Sequence, residues 1–452
     1  MSTARNLTEG KVSGLLLRFF FPMLLTNLLQ QVYSVVDTAI VGKGLGDAAL
    51  GAVGNLSSIN ILIIGFATGM TQGYAVIIGR YDGAGDSRAR RKAIALSIRQ
   101  AALITLLLTA ASCLFLRPIL LAMRTDPLIL PDSLLYGYIV FGCLAATVAY
   151  NLCASVLRAL GDSRTPFIAI VISTAVNIVL DVLFIFVMRS GVEGAAIATV
   201  LAQVVSVVIC LGKIRGSGTV ILSRADFQRD APLSLELLQN GIPLALMNCT
   251  IAIGNMIVQG YVNQCGVAYT SAYSACNKYL GLFILPGMTA GYAAAAFVSQ
   301  NNGAGRPDRI REGVRVCGMI ALVAYALFGS VMVFLPRQLM RLMLNEPDTI
   351  ELAAQFIRIC GALLFVVNFV FVFRNAVQGL GYPLIPMCSG ILEMVLRIPV
   401  IALLLPWLGF RAVACAEVAA WGGSLAINAI TYAVVMRRLA RRPAMNGREK
   451  TP

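Results

Sequence analysis

Apolar runs of 18 or more residues recur from Leu15 to Met436, and this recurrence limits the possible folds more than any other feature of the sequence. About 20 apolar residues in a helix cross the hydrocarbon core of a bilayer. In lipid every backbone N–H and C=O needs an internal partner, which a spanning helix supplies. The runs lack the strict alternation of a membrane β-strand, which argues against a barrel. Only 13% of the residues are charged and 58% are hydrophobic, whereas soluble domains carry about 25% charged residues. The chain therefore reads as an all-α polytopic membrane protein. Twelve helices are predicted over 15–41, 49–79, 93–116, 133–158, 167–188, 194–213, 238–263, 268–297, 310–334, 351–378, 385–406 and 411–436.

The polar breaks set the organisation. A six-helix half is expected over 1–214, a linker over 215–237, a second six-helix half over 238–440 and a basic tail over 441–452. Met1 to Lys11 is polar and the apolar run after it is too long for a signal-peptide core, so helix 1 should be retained. The net charge of +15 invites a nucleic-acid reading, but its distribution points to a membrane. Of 36 Lys and Arg, 23 fall in breaks on one side and seven on the other, as the positive-inside rule expects. Both termini should then be cytoplasmic, in a bacterial inner membrane. The basic breaks orient the chain and offer contacts to anionic lipid, with no nucleic-acid partner. Eleven Cys are scattered through apolar stretches without a CxxC, and there is no His. Neither a disulfide framework nor a zinc site is supported, and no cofactor is expected.

The halves repeat at an offset of about 220. Gly83-Ala84-Gly85 returns as Gly303-Ala304-Gly305, each followed by a basic cluster. Leu160-Gly161 and Pro166 return as Leu380-Gly381 and Pro386, and Pro22 and Asn27 as Pro243 and Asn248. An even number of helices per half makes the repeats parallel, a plan many secondary transporters use.

The acids carry the sharpest functional signal. Of 21 Asp and Glu, four lie well inside a predicted helix: Asp37, Asp181, Glu393 and Glu417. An intramembrane carboxylate costs a few kcal/mol, so it persists where it faces a cavity or finds a partner. Asp37 on helix 1, Asp181 on helix 5 and Thr199 on helix 6 are expected at one depth, with Asn177 one turn before Asp181 on the same face. Oxygen ligands of this kind suit Na⁺ or a shared proton, and two adjacent carboxylates in low dielectric should not both ionise. The plainer alternative is two separate Asp residues, each hydrogen-bonded locally. Glu393 has Arg397 one turn on and the two can neutralise each other; Glu417 reads as an interfacial residue. At the offset, Asp37 maps to Ile257 or Val258, Asn177 to Arg397 and Asp181 to Ile401, so the scaffold is duplicated and the acid cluster is not.

Pro22 lies early in helix 1, where it frees a hydrogen bond and kinks the helix. It is a hinge candidate that would respond to protonation of Asp37, against the alternative of a static kink. Gln30, Gln31, Tyr33, Lys278, Asn368, Arg374, Glu393 and Arg397 are the candidate lining of a substrate cavity, with snorkelling to the surface as the alternative for Arg374.

The sequence resembles the multidrug and toxic compound extrusion (MATE) family over nearly its whole length. The resemblance rests on Pro22 to Asp37 followed by Val41-Gly42 and Leu45-Gly46-Asp47-Ala48-Ala49, then Gly83-Ala84-Gly85-Asp86 and Arg158-Ala159-Leu160-Gly161-Asp162. It continues through Asn177-Ile178-Val179-Leu180-Asp181, Gly194-Ala195-Ala196-Ile197-Ala198-Thr199, Gln300-Asn301-Asn302-Gly303-Ala304-Gly305 and Gln378-Gly379-Leu380-Gly381. It implies two six-helix lobes and export of small organic compounds, often cationic, in exchange for H⁺ or Na⁺, by a protein that works as a monomer. The DinF-type branch, which looks nearest, implies a cation site at Asp37, Asn177, Asp181 and Thr199, with Asn151 on helix 4 and the helix 1 proline at Pro22. The NorM-type branch also uses acids in helices 7 and 10, where this chain has the neutral Asn255 and Asn368. Beside the exporter stands a lipid-linked sugar flippase of the same superfamily, which Arg374 and Arg397 would suit. A membrane enzyme would need a catalytic constellation near an interface, and none is visible. A channel is disfavoured by the two-part repeat with one-sided carboxylates.

Overall fold

A computed structural model describes residues 7–216, 218 and 220–441. Among these residues the regular structure is helical and no strand occurs. Ten segments are long and apolar enough to span a membrane, and two bent helix pairs bring the number to twelve. They are α1 (Val12–Leu45), α2 (Asp47–Gly83), α3 (Ser87–Ala122), α4 (Leu130–Gly142 with Leu144–Ala159), α5 (Arg164–Val187) and α6 (Val192–Gly216). The second set is α7 (Ala231–Gln264), α8 (Val267–Gly303), α9 (Pro307–Phe334), α10 (Pro347–Ala362 with Leu364–Gly379), α11 (Leu384–Leu408) and α12 (Arg411–Arg441). Each agrees with one predicted helix. Most extend past the predicted ends, because the helices continue into polar residues that hydropathy does not detect.

The repeat is written in the backbone. The two bent spans break at Cys143, by 45°, and at Leu363, by 49°, positions 220 apart. Left-handed glycines recur at the same spacing: Gly46 and Gly266, Gly85 and Gly305, Gly161 and Gly381. Arg189 (φ 53°) has Gly409 (φ 55°) as its counterpart, so the first half holds a side chain at a positive φ that the second half leaves to glycine.

The described residues group into two compact units, one holding Leu17–Asp82 and Asp86–Ala252, the other Leu7–Leu16, Gly83–Gly85 and the described residues from Ile253 to Arg441. In the first unit, Met70, Tyr74, Ile77 and Ile78 of α2 form a core with Ile94 and Leu96 of α3 and Leu144, Val148 and Leu152 of α4. The first part of α7, up to Ala252, belongs to this unit because α2 offers it a glycine face. A Cβ added at Gly69 or Gly73 would lie 2.5 Å from the backbone of Ala245 or Gly241. Asn248 Nδ2 donates to the Gly65 carbonyl at 2.9 Å across the same contact. Small residues let helix backbones approach in this way. In the second unit, Tyr273 and Cys276 of α8, Phe356 and Ile357 of α10 and Phe410 and Trp421 form the core.

The segments that lead into α1 and α7 are both anchored. The linker residue Val220 and, from the first turns of α7, Leu233 and Leu237 are buried in the first unit's core; the helix begins at Ala231, inside the expected linker of 215–237. The same segment also meets the basic cluster there: Lys92 pairs with Asp230 at 2.7 Å, Arg91 with Asp226 at 3.9 Å, and Arg80 with Glu236. Much of that basic cluster is thus neutralised by the chain's own acids. The segment before α1 is held by the corresponding loop of the second unit. Arg306 Nη1 donates to the Thr8 carbonyl at 2.7 Å, Arg309 Nη1 to the Gly10 carbonyl at 2.8 Å, and Leu7 N–H to Gln300 Oε1 at 2.9 Å.

Candidate functional site

Asp37, Asp181, Asn177 and Thr199 meet in the first unit, brought together by α1, α5 and α6. Asp181 and Asn177 are fully buried. The Asp37 and Asp181 carboxyls lie within hydrogen-bonding reach of each other, and no Lys or Arg is among the groups acting on either. With its amide oriented to satisfy both neighbours, Asn177 donates to Asp181 Oδ2 at 2.7 Å and accepts from the Thr199 N–H at 3.3 Å. The i, i+4 spacing of Asn177 and Asp181 makes that contact possible on one helical face. Directly after Asp181 the helix widens into a π-helical turn over Val182–Val187. Such turns are rare and concentrate at functional sites, because they shift the register of the side chains that follow.

Two tyrosines complete the cluster. Tyr33, one turn before Asp37 on α1, and Tyr136 on α4 both lie beside Thr199 and feel the two carboxylates. Tyr136 was not singled out from the sequence. Its only signal there is a hydroxyl-bearing ring in an apolar helix, and tyrosines of that kind are common. Three buried oxygens in the cluster have no hydrogen-bond partner: Asp37 Oδ1, Asp181 Oδ1 and Thr199 Oγ1. A buried oxygen left this way costs about 1–3 kcal/mol, more if charged. Two carboxyl oxygens and a hydroxyl oxygen from three helices make a set of oxygen ligands, which a proton or a small hard cation would satisfy. Among the described residues no group of three or more His, Cys, Asp or Glu gathers as for a transition metal.

The other sequence candidates separate. Asn151 Nδ2 donates to its own helix, to the Thr147 carbonyl at 2.9 Å. Pro22 lies inside α1, where its carbonyl accepts from Thr26 Oγ1 at 2.8 Å. Gln30, Gln31 and Lys278 are exposed. Asn368 is fully buried and donates to the Ala321 carbonyl at 3.2 Å.

Arg374, Glu393 and Arg397 form a second cluster, joined by Glu417, and all four are at most 7% exposed. Glu393 is paired with Arg374 and lies 3.9 Å from Arg397. Arg397 also pairs with Glu417 at 2.9 Å and donates to Asn255 Oδ1 at 2.7 Å. Arg374 donates to Ser424 Oγ at 2.7 Å. Arg374 therefore does not snorkel. Glu417, read from the sequence as interfacial, is buried, because α12 turns it toward α11 where Arg397 waits. Spacing within one helix revealed the Glu393–Arg397 pair. Partners on α7, α10 and α12 leave no such trace.

The MatE family model matches residues 22–183 and again residues 243–403. The Bacillus subtilis (strain 168) probable multidrug resistance protein YpnP is 29% identical over 413 residues, covering 91% of this chain and 92% of its own. The FAD transporter of Shewanella oneidensis is 24% identical over 417 residues, covering 89% and 90%. Among solved structures, that of a MATE protein in the bent conformation superposes with a TM-score of 0.91 at 20% identity, covering 98% of this chain and 99% of the other.

Proposed function

The chain belongs to the MatE family of transporters, and from that premise we propose that it is a secondary antiporter exporting small organic compounds in exchange for H⁺ or Na⁺, with the coupling ion held at Asp37, Asn177, Asp181 and Thr199. The observation that carries this reading is the set of three unpartnered buried oxygens, Asp37 Oδ1, Asp181 Oδ1 and Thr199 Oγ1, beside two carboxyls with no internal cation. One proton between the carboxyls, or one Na⁺ among the oxygens, removes the cost of leaving them bare. Losing that ion restores the repulsion between the carboxylates. α1 and α5 also pack through Val41 and Ile185, but the carboxyl pair is the charged part of their contact, so occupancy biases how they pack, which alternating access requires of a coupling ion. Asn177 and Tyr136 position the carboxyls, and Pro22, inside α1, is assigned as its hinge.

The exporter reading sets both termini on the cytoplasmic side of a bacterial inner membrane, with the protein working as a monomer of the DinF-type branch. The flippase alternative leaned on Arg374 and Arg397 as cavity cations; both are buried in pairs with Glu393 and Glu417, which removes its support. Two relatives frame the substrate panel, one named for multidrug resistance and one for FAD. The test is efflux of ethidium, norfloxacin and FAD from vesicles under an imposed H⁺ or Na⁺ gradient. Asp37→Asn and Asp181→Asn are each expected to abolish gradient-driven efflux while the protein still inserts. Full transport by both variants would contradict the assignment.

A further inference from the structure

The first cluster is built from α1, α5 and α6, whose counterparts in the repeat are α7, α11 and α12. Asn177 on α5 has Arg397 on α11 as its counterpart, 220 residues on. Arg397 reaches one partner on each of the other two counterpart helices, Asn255 on α7 and Glu417 on α12. Asn255 lies two residues before Ile257, a counterpart of Asp37, and Glu417 two residues before Ala419, the counterpart of Thr199. We infer that the second half keeps the place of the first half's cation site and fills it with a tethered cation, the guanidinium of Arg397, so that this half takes up no exchangeable ion. The inference rests on reading the first cluster as the coupling site.

Charge supports it. Glu393 and Glu417 face two guanidiniums, and four such groups in one buried chain are neutral together. Arginine does not release its proton in a protein, so this counter-charge cannot leave. The Nε atoms of Arg374 and Arg397 have no partner, so pairing of charge, more than a saturated set of hydrogen bonds, holds the chain together. In the first cluster the position of this arginine is an amide, and its carboxyls meet no fixed cation. A bilayer tolerates buried carboxylates when they are paired or filled; the two halves use one solution each.

The test uses the full chain, purified in detergent, with melting temperature measured in choline, Na⁺ and Li⁺ chloride at pH 6 and pH 8. The titratable groups facing the second cluster are Tyr273 and Cys360, beside Glu417, and Tyr292, beside Arg374. Wild type should show a shift with Na⁺ or with pH, and Asp37→Asn with Asp181→Asn should remove it. Adding Arg397→Gln to that double variant should restore an ion- or proton-dependent rise of roughly 2–4 °C, the effect of one new bound ion on a large domain. Adding Glu393→Gln and Glu417→Gln should remove it again. A folded triple variant with no ion dependence would overturn the inference. If the triple variant does not fold, the double variant decides: retained ion dependence means that the second half holds an exchangeable ion, and its loss supports the plug. Failure of the coupling reading shows separately, as unimpaired gradient-driven efflux by the double variant.

Discussion

At the scale of single residues, the proposed coupling site depends on oxygens being available and correctly aimed. Asn177 donates to Asp181 Oδ2 and spans to the Thr199 backbone. Removing it strands a buried carboxyl oxygen, a cost of about 1–3 kcal/mol. Asn177→Ala should therefore weaken the apparent affinity for the coupling ion by about tenfold, which at ~1.4 kcal/mol lies within that range, with the maximal efflux rate less affected. Titrating efflux against external Na⁺ or pH checks this. Tyr136→Phe deletes a hydroxyl beside Thr199 and should lower the affinity a few-fold in the same assay. The sequence exposed the acids and Asn177 because a charge or an amide in an apolar run stands out, and i, i+4 spacing tied two of them together. It did not expose Tyr136, Ser424 or the partners of Arg397, whose positions are set by neighbouring helices.

At the scale of elements, two contacts carry predictions. The glycine face of α2 leaves no room for a side chain, since a Cβ at Gly69 would lie 2.5 Å from the Ala245 backbone. Gly69→Val should cost about 1–3 kcal/mol by overpacking, read as a lower melting temperature. The linker clasp is electrostatic. The Ser223 N–H and hydroxyl hold the Asp226 carboxyl below its usual range, and Lys92 does the same for Asp230. A carboxyl lowered in the folded state stabilises above its unfolded value, about 3.9, and that contribution fades as pH falls through the lower folded value. The melting-temperature difference between wild type and Asp230→Asn should thus hold from pH 8 to 5 and begin to close only as pH falls below about 4. The Lys92–Asp230 pair is partly exposed, so Lys92→Asp should cost about 0.5 kcal/mol, and the double swap Lys92→Asp with Asp230→Lys should recover most of it. The linker and the start of α7 read as one polar break because their few apolar residues, Val220, Leu233 and Leu237, are too sparse to show periodicity; they are buried only once α2 and α3 are in place.

At the scale of the molecule, two copies of one six-helix plan carry different electrostatics. The duplication was legible in the sequence, because bends and left-handed glycines are fixed by local residues that survive at an offset of 220. The difference was legible only in part: the missing acids at Ile257 and Ile401, and Arg397 at the counterpart of Asn177, could be read off, while the partners of that arginine on α7 and α12 needed three helices in space to be seen. On the proposed reading, the consequence is one exchangeable ion site among the described residues, in the first half. The most direct measurement is proton release from purified protein in weak buffer on adding saturating Na⁺ or substrate, compared between wild type and the Asp37→Asn, Asp181→Asn double variant. Displacement of a proton shared by Asp37 and Asp181 predicts release from wild type and none from the double variant. Equal release from both would contradict the account.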